Sequence, residues 1–284
     1  MSTLFGIWHS IQNSLFPWLE ETLDPLTEKE KRFVRTISLM DLQKHMVQYR
    51  WQGKGRMRKD RTSIAKAFIA KAVYHFETTD ILIEYLHGCK NLRRLCGWEC
   101  SWNVPSRATF SRAFAEFSAG NLTQTVHAAM VKHHCGDKLA GHISRDSTAI
   151  EVREKPTKKK PPIKHPKRKP GRPKKGEIVL PQPPKRLDLQ PTRTLAENLF
   201  DLPSECNVGA KKNSKGYKES WIGYKLHVDC IDGDIPVSTI LTSASLHDSQ
   251  AAIPLSQMSQ ERLTNLYDLM DSAYDAPQIH RFSE

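Results

Sequence analysis

Two aspartates stand where a carboxylate is costly. Asp146 lies inside His142-Ile143-Ser144-Arg145-Asp146-Ser147-Thr148-Ala149-Ile150, a stretch of strand composition, and Asp271 closes the short apolar run Leu266–Asp271. A carboxylate within a strand needs a cation, a metal or solvent at a sheet edge. Strand ends in open α/β sheets face the usual ligand crevice. If the two strands are neighbours, both carboxylates can share divalent metal. Hard oxygen donors suit Mg²⁺ or Mn²⁺. Two such ions about 3.5–4 Å apart clamp the attacking and leaving oxygens of a phosphodiester. Taken alone, an aspartate at a strand end is more often a cap or a solvated turn residue.

Other residues invite chemistry of their own. Lys225, His227, the pair His247-Asp248 and Tyr274 follow in the same half of the chain. A His-Asp pair suggests acid–base work, although adjacent residues at a helix start more often form a cap and a positioning group. No Gly-x-Ser-x-Gly or phosphate-loop pattern is present, so serine hydrolase and nucleotide hydrolase readings lack support. Cys96-x3-Cys100, near Cys89 and His87, matches no standard zinc pair well, and small apolar roles fit these thiols better.

The net charge is +12, from 43 lysines and arginines against 31 acids. Residues 153–186 hold 14 of those cations against Glu154 and Glu177, which leaves the rest of the chain balanced. Within this segment, Lys169-Pro170-Gly171-Arg172-Pro173-Lys174-Lys175 resembles an AT-hook. Proline keeps the backbone extended, Gly171 permits close approach, and Arg172 can enter the narrow minor groove of A·T tracts. Flanking lysines would neutralise phosphates. The competing reading is a solvated basic linker. A second DNA-facing element is Arg107, Ser111 and Arg112, on one exposed face of a helix opposite Phe110, Phe114 and Phe117. Recognition-helix use and an ordinary amphipathic surface helix are about equally expected.

The elements that must position these residues fall into three textures. Residues 1–138 read as a helical bundle. Thr27-Glu28-Lys29-Glu30 is a capping-box pattern, Ser63 and Asp80 stand before further amphipathic stretches, and Pro105-Ser106 opens the phenylalanine helix. Residues 153–205 carry eleven prolines among like charges. That composition opposes a packed core, so a disordered basic insert is expected, with a short helix over Leu195–Leu202. From 206 onward the period changes. Trp221–Cys230 and Val237–Thr242 predict a hairpin around Asp232-Gly233-Asp234. Ser249–Leu263 predicts a helix, Leu266–Asp271 a short buried strand, and Asp275–Glu284 a helix start. With Ile143–Val152 as another strand, 139–152 and 206–284 make a mixed α/β domain.

Four stretches in this order resemble the bacterial insertion-sequence DDE transposases: Arg145-Asp146-Ser147-Thr148, the Gly-Tyr-Lys-x-His signature within Gly216–His227, Thr242-Ser243-Ala244-Ser245-Leu246-His247-Asp248-Ser249, and Asp271-Ser272-Ala273-Tyr274-Asp275. The resemblance implies an RNase H-like catalytic domain, Mg²⁺ (or Mn²⁺) as cofactor, and Asp146 and Asp271 as catalytic metal ligands. It places Lys225, His227, His247, Asp248 and Tyr274 as active-site support. It implies double-stranded DNA as partner, terminal inverted repeats above all, together with a homodimer. The family also uses a Glu on a late helix, in a Tyr-x2-Arg-x3-Glu-x6-Lys arrangement. That arrangement is absent, and Glu284 is a poor candidate, so a C-terminally truncated transposase is expected, inactive alone. The alternative is a non-catalytic DNA-binding relic or a repressor of the element. No apolar run of about 18 residues and no basic n-region before an apolar stretch is visible. A cytoplasmic, nucleoid-associated protein without a membrane partner is expected.

Overall fold

The computed structural model describes residues 4–53, 55–157, 184–212 and 215–283. The chain divides into two compact units, Met1–His134 and Cys135–Glu284.

The first unit is helical. Its helices are α1 (Leu4–Ser10), α2 (Phe16–Thr22), α3 (Glu28–Met40), α4 (Leu42–His45), α5 (Arg61–Tyr74), α6 (Thr79–Gly88), α7 (Lys90–Cys96), α8 (Arg107–Ala119) and α9 (Leu122–Cys135). The core joins α3, α5, α6, α7 and α8 through Phe33, Ile64, Leu82, Leu86, Leu92 and Phe110. The Phe68 ring meets Phe110 and Phe117 edge-on, at 5.7 and 6.4 Å between centroids. Phe114, on the same stripe, is 60% exposed. Cys96 is buried, and burial pushes its thiol up to about 12, which makes it a small apolar residue rather than a thiolate.

Local chemistry sets the helix starts. The capping box at α3 forms: the Thr27 N–H donates to Glu30 Oε2 (2.7 Å), and Glu30 N donates to Thr27 Oγ1 (3.3 Å). Thr27→Ala should lower stability by about 1 kcal/mol, read as a shifted urea midpoint at unchanged slope; no shift would show that the box is redundant. Two starts differ from the sequence reading. Asp60, not Ser63, caps α5, because its carboxylate accepts from the N–H groups of Thr62 (3.2 Å) and Ser63 (2.8 Å). Thr78, not Asp80, caps α6, accepting from Ile81 N at 3.2 Å.

The second unit is built on a sheet. Its elements are β1 (Leu139–Glu151), α10 (Arg186–Leu189), α11 (Leu195–Asp201), β2 (Asn207–Lys212), β3 (Lys218–Ile231), β4 (Ile235–Ser243), α12 (Ser249–Gln260), β5 (Thr264–Met270) and α13 (Pro277–Ser283). The strands form one five-stranded mixed sheet in the order β2-β3-β1-β5, with β4 also on β3. β3 pairs antiparallel with β1, β2 and β4, while β5 runs parallel to β1. The hairpin expected around Asp232-Gly233-Asp234 is the β3–β4 connection. Gly223 lies where β3 passes from β2 to β4. Its φ is +151°, and a Cβ there would strike the Ile150 carbonyl, so only glycine fits. α12 packs on β3, β4 and β5, with Leu255 fully buried and Met258 beside Ile240 and Leu202. Leu241 stays half exposed, and so do Leu266, Tyr267 and Leu269, so β5 is not the buried strand that its apolar run predicts: among the described residues it pairs only with β1 and lies at the sheet edge.

The expected disordered insert needs correcting at its C-terminal end. Leu195–Asp201 forms the expected short helix, α11, and Arg186–Leu189 adds α10, which the proline-rich composition does not predict. Thr194 and Glu197 form a second capping box, and Arg186 bonds both Asp201 (2.8 Å) and Gln250 (2.5 Å). Where the chain leaves the sheet, Thr157 N donates to Cys206 O (2.9 Å), and Tyr224 Oη donates to Glu154 Oε2 (2.7 Å). Lys169–Lys175 and Glu284 lie outside the described residues. Among the described residues no helix is long and apolar enough to cross a membrane.

Candidate functional site

The register of two strands builds the site. Leu139 pairs with Thr264, and the parallel ladder runs to Arg145 opposite Met270. One step further along both strands stand Asp146 and Asp271. Asp146 thus stands midway along β1 and Asp271 just past the end of the parallel strand β5, both exposed. Among the described residues neither is held by a cationic side chain in a hydrogen bond. Asp146 Oδ1 accepts from Ser147 N (2.6 Å), and Asp271 Oδ1 accepts from Ala273 N (3.0 Å), where it caps the turn Ser272–Tyr274.

Strand alternation sends the residues beside Asp146 the other way. Arg145 and Asp229, opposite each other on β1 and β3, are buried and form a two-pronged ion pair, Nε to Oδ1 and Nη2 to Oδ2, each 2.8 Å. Ser259 of α12 donates to Asp229 Oδ2 at 2.7 Å and is itself 2.5 Å from Ser238 of β4. Arg145 Nη1 reaches Met270 Sδ at 3.2 Å and lies 3.9 Å from Asp268 Oδ2. This network was not read from the sequence. Its signal was charge at two mid-strand positions, Arg145 and Asp229, where alternation calls for buried groups.

A second cluster gathers near Asp146. Lys225 Nζ donates to Asp248 Oδ1 (2.8 Å) and to the Leu246 carbonyl (2.9 Å). His227 is fully buried, with Nε2 2.9 Å from Thr242 Oγ1. Thr242 Oγ1 also lies 3.3 Å from the Ser243 carbonyl. His227 Nδ1 lies 3.8 Å from Asp248 Oδ1 and has no hydrogen bond among the described residues. Burial pushes the His227 pKa down to about 4; Asp248 and Asp146 oppose the shift and Lys225 reinforces it. The Tyr274 hydroxyl is also buried without a partner among the described residues. Burial raises its pKa, and Asp248, Asp146 and Asp271 raise it further against Arg145. Asp146, Asp271, Asp248, Lys225, His227 and Tyr274 therefore share one electrostatic neighbourhood. His247 does not join it: it is exposed, with Nδ1 2.9 Å from Ser249 Oγ.

The depressed His227 value fixes a pH effect. Between its ordinary 6.5 and about 4 the unfolded chain takes up a proton that the folded imidazole refuses. Stability therefore falls as pH drops through that window. His227→Gln should flatten this limb in a pH series of thermal unfolding. An unchanged slope would show that His227 is charged in the fold.

The donor set suits a hard divalent ion in part. Two exposed carboxylates side by side, with an orphaned hydroxyl nearby, present oxygen ligands of the right kind. Among the described residues, however, no group of three or more His, Cys, Asp and Glu side chains is arranged to hold a metal ion. In the helical unit, Arg107, Ser111 and Arg112 are exposed on α8. Arg107 lies 3.3 Å from Asp80 and, with Ser111, lines a surface groove shared with Lys71 and Phe114. Ser106 stands at the N-cap position of α8 without a side-chain cap, its hydroxyl 3.3 Å from Thr109 Oγ1.

No curated protein and no solved structure matches the chain. Residues 21–116, most of the helical unit, match the family model described as a transposase domain (DUF772). That match covers about a third of the chain and supports a transposase family for it.

Proposed function

We propose that the chain is a DDE-type insertion-sequence transposase polypeptide whose sheet unit is an RNase H-like catalytic domain. One observation carries the reading: the β1–β5 register brings Asp146 beside Asp271, in a chain whose helical unit matches a transposase domain. Asp146 and Asp271 would hold Mg²⁺ or Mn²⁺. Such an ion, when bound, supplies charge stabilisation for phosphodiester hydrolysis and strand transfer at the element's ends. The chain's own residues set the surroundings. Lys225 and Asp248 form a fixed ion pair, His227 stays neutral at pH 7, and the Tyr274 hydroxyl is a free donor. The helical unit would recognise terminal repeats, with Arg107, Ser111 and Arg112 on α8 as its contacts. Lys169–Lys175 would add A·T-leaning minor-groove affinity. Arg172→Ala should then weaken binding to A·T-rich duplex more than to G·C-rich duplex in a gel-shift titration; equal loss on both would leave only a charged linker.

Residues 1–284 alone should bind DNA without transferring strands. Two carboxylates hold an ion weakly and do not fix two ions in line, and a misplacement of about 1 Å costs roughly 10²-fold in rate. The absence of a third grouped carboxylate among the described residues is the observation that favours the second reading, a DNA-binding repressor of the element. Purified 1–284, incubated with terminal-repeat DNA and Mg²⁺, is the test: binding without cleavage is expected, and metal-dependent cleavage that Asp146→Asn abolishes would exclude the repressor reading.

A further inference from the structure

We propose that Arg145 is the positioning residue that sets the spacing of Asp146 and Asp271, an inference that rests on the metal-site reading of that pair. The last rung of the β1–β5 ladder is Arg145 opposite Met270. Both carboxylates stand one residue past it, where no further rung between the two strands holds them together. The guanidinium closes that rung from the side. Nε and Nη2 grip Asp229 on β3 (2.8 Å each), while Nη1 reaches Met270 Sδ (3.2 Å) and Asp268 (3.9 Å) on β5. Ser259 of α12 holds the far oxygen of Asp229 at 2.7 Å. One planar fork therefore ties the residue before Asp146 to the residue before Asp271, through contacts on two neighbouring strands, with α12 bracing Asp229. Groups behind metal ligands act in this way: they orient donors that they do not replace.

A merely structural ion pair would give the same burial, so the test separates stability from metal affinity. The paired variant Arg145→Met/Asp229→Leu removes both charges together, which restores packing without the fork. Mn²⁺ binding to the full 1–284 chain, read by electron paramagnetic resonance, is expected to be at least ten-fold weaker in the paired variant than in the wild type, at a similar urea midpoint. Arg145→Lys keeps a cation against Asp229 but cannot span to β5, and it should show the same ten-fold loss; it carries the test if the paired variant does not fold. Wild-type Mn²⁺ affinity in a folded variant of either kind overturns the proposal. Asp146→Asn and Asp271→Asn separate this from failure of the underlying reading. If they abolish binding while the Arg145 variants leave it intact, only the positioning role falls. If the wild type binds no Mn²⁺, or both aspartate variants bind it normally, the metal-site reading falls and the positioning role with it.

Discussion

Replacing residues 158–183 with a short Gly-Ser linker should lower affinity for duplex DNA by about 10²-fold at low salt and leave the fold standing. The segment holds ten lysines and arginines against one glutamate, Glu177, so its loss removes most of the chain's net charge of +12. Each phosphate neutralised on B-form DNA contributes about 0.9 to the slope of log affinity against log salt. The deletion should therefore flatten that slope by several units, while any binding that survives reports on α8 and its neighbours. The flanks tolerate the cut. Thr157 is tied to Cys206, Glu154 to Tyr224, and Arg186 to Asp201 and Gln250, and closure entropy varies only slowly with loop length. Fluorescence anisotropy across a salt series, with thermal unfolding alongside, reads both halves. Unchanged affinity and slope would remove the basic segment from DNA binding; a collapsed melting temperature would make it part of the fold.

Asp229→Ala should cost about 3–5 kcal/mol. The carboxylate is fully buried and answers the Arg145 guanidinium with both oxygens. Truncating it strands a buried cation among Met270, Ser259 and Ser238. The sheet unit should then unfold roughly 10 °C earlier, with the loss visible in Trp221 fluorescence. The paired Arg145→Met/Asp229→Leu chain should regain most of it, because an apolar pair of similar volume replaces a desolvated ion pair at little net cost. A single variant that melts with the wild type would show that water reaches the pair.

Much of the second unit was legible because its signals are local. Asp232-Gly233-Asp234 between two β-rich runs specifies a hairpin, and Asp271 closes an apolar run short enough to be a strand. The same holds for the capping box at Thr27. What could not be read was non-local. Nothing along the chain says that Arg145 faces Asp229 across 84 positions, or that β5 lies parallel to β1, yet those two facts make the site. Asp146 stands out in the sequence as a costly strand carboxylate, whereas the role of Arg145, one residue before it, depends on a partner that lies on another strand. α10 is hidden by composition, because proline density masks its four residues, whereas α11 matches the short helix that Leu195–Leu202 predicts. β2, short and polar at its end, offers no alternation to detect. The AT-hook reading of Lys169–Lys175 lies outside the described residues.

The position of β5 has a consequence for handling the protein. Among the described residues β5 is paired on one side only, and Leu266, Tyr267 and Leu269 are each half or more exposed along it. Its seven residues contain no lysine and no proline, the usual guards of an open edge. Its single charge, Asp268, is turned inward toward Arg145. Such a strand offers unpaired backbone groups to another chain, and the inward charge of Asp268 is the guard that this edge carries.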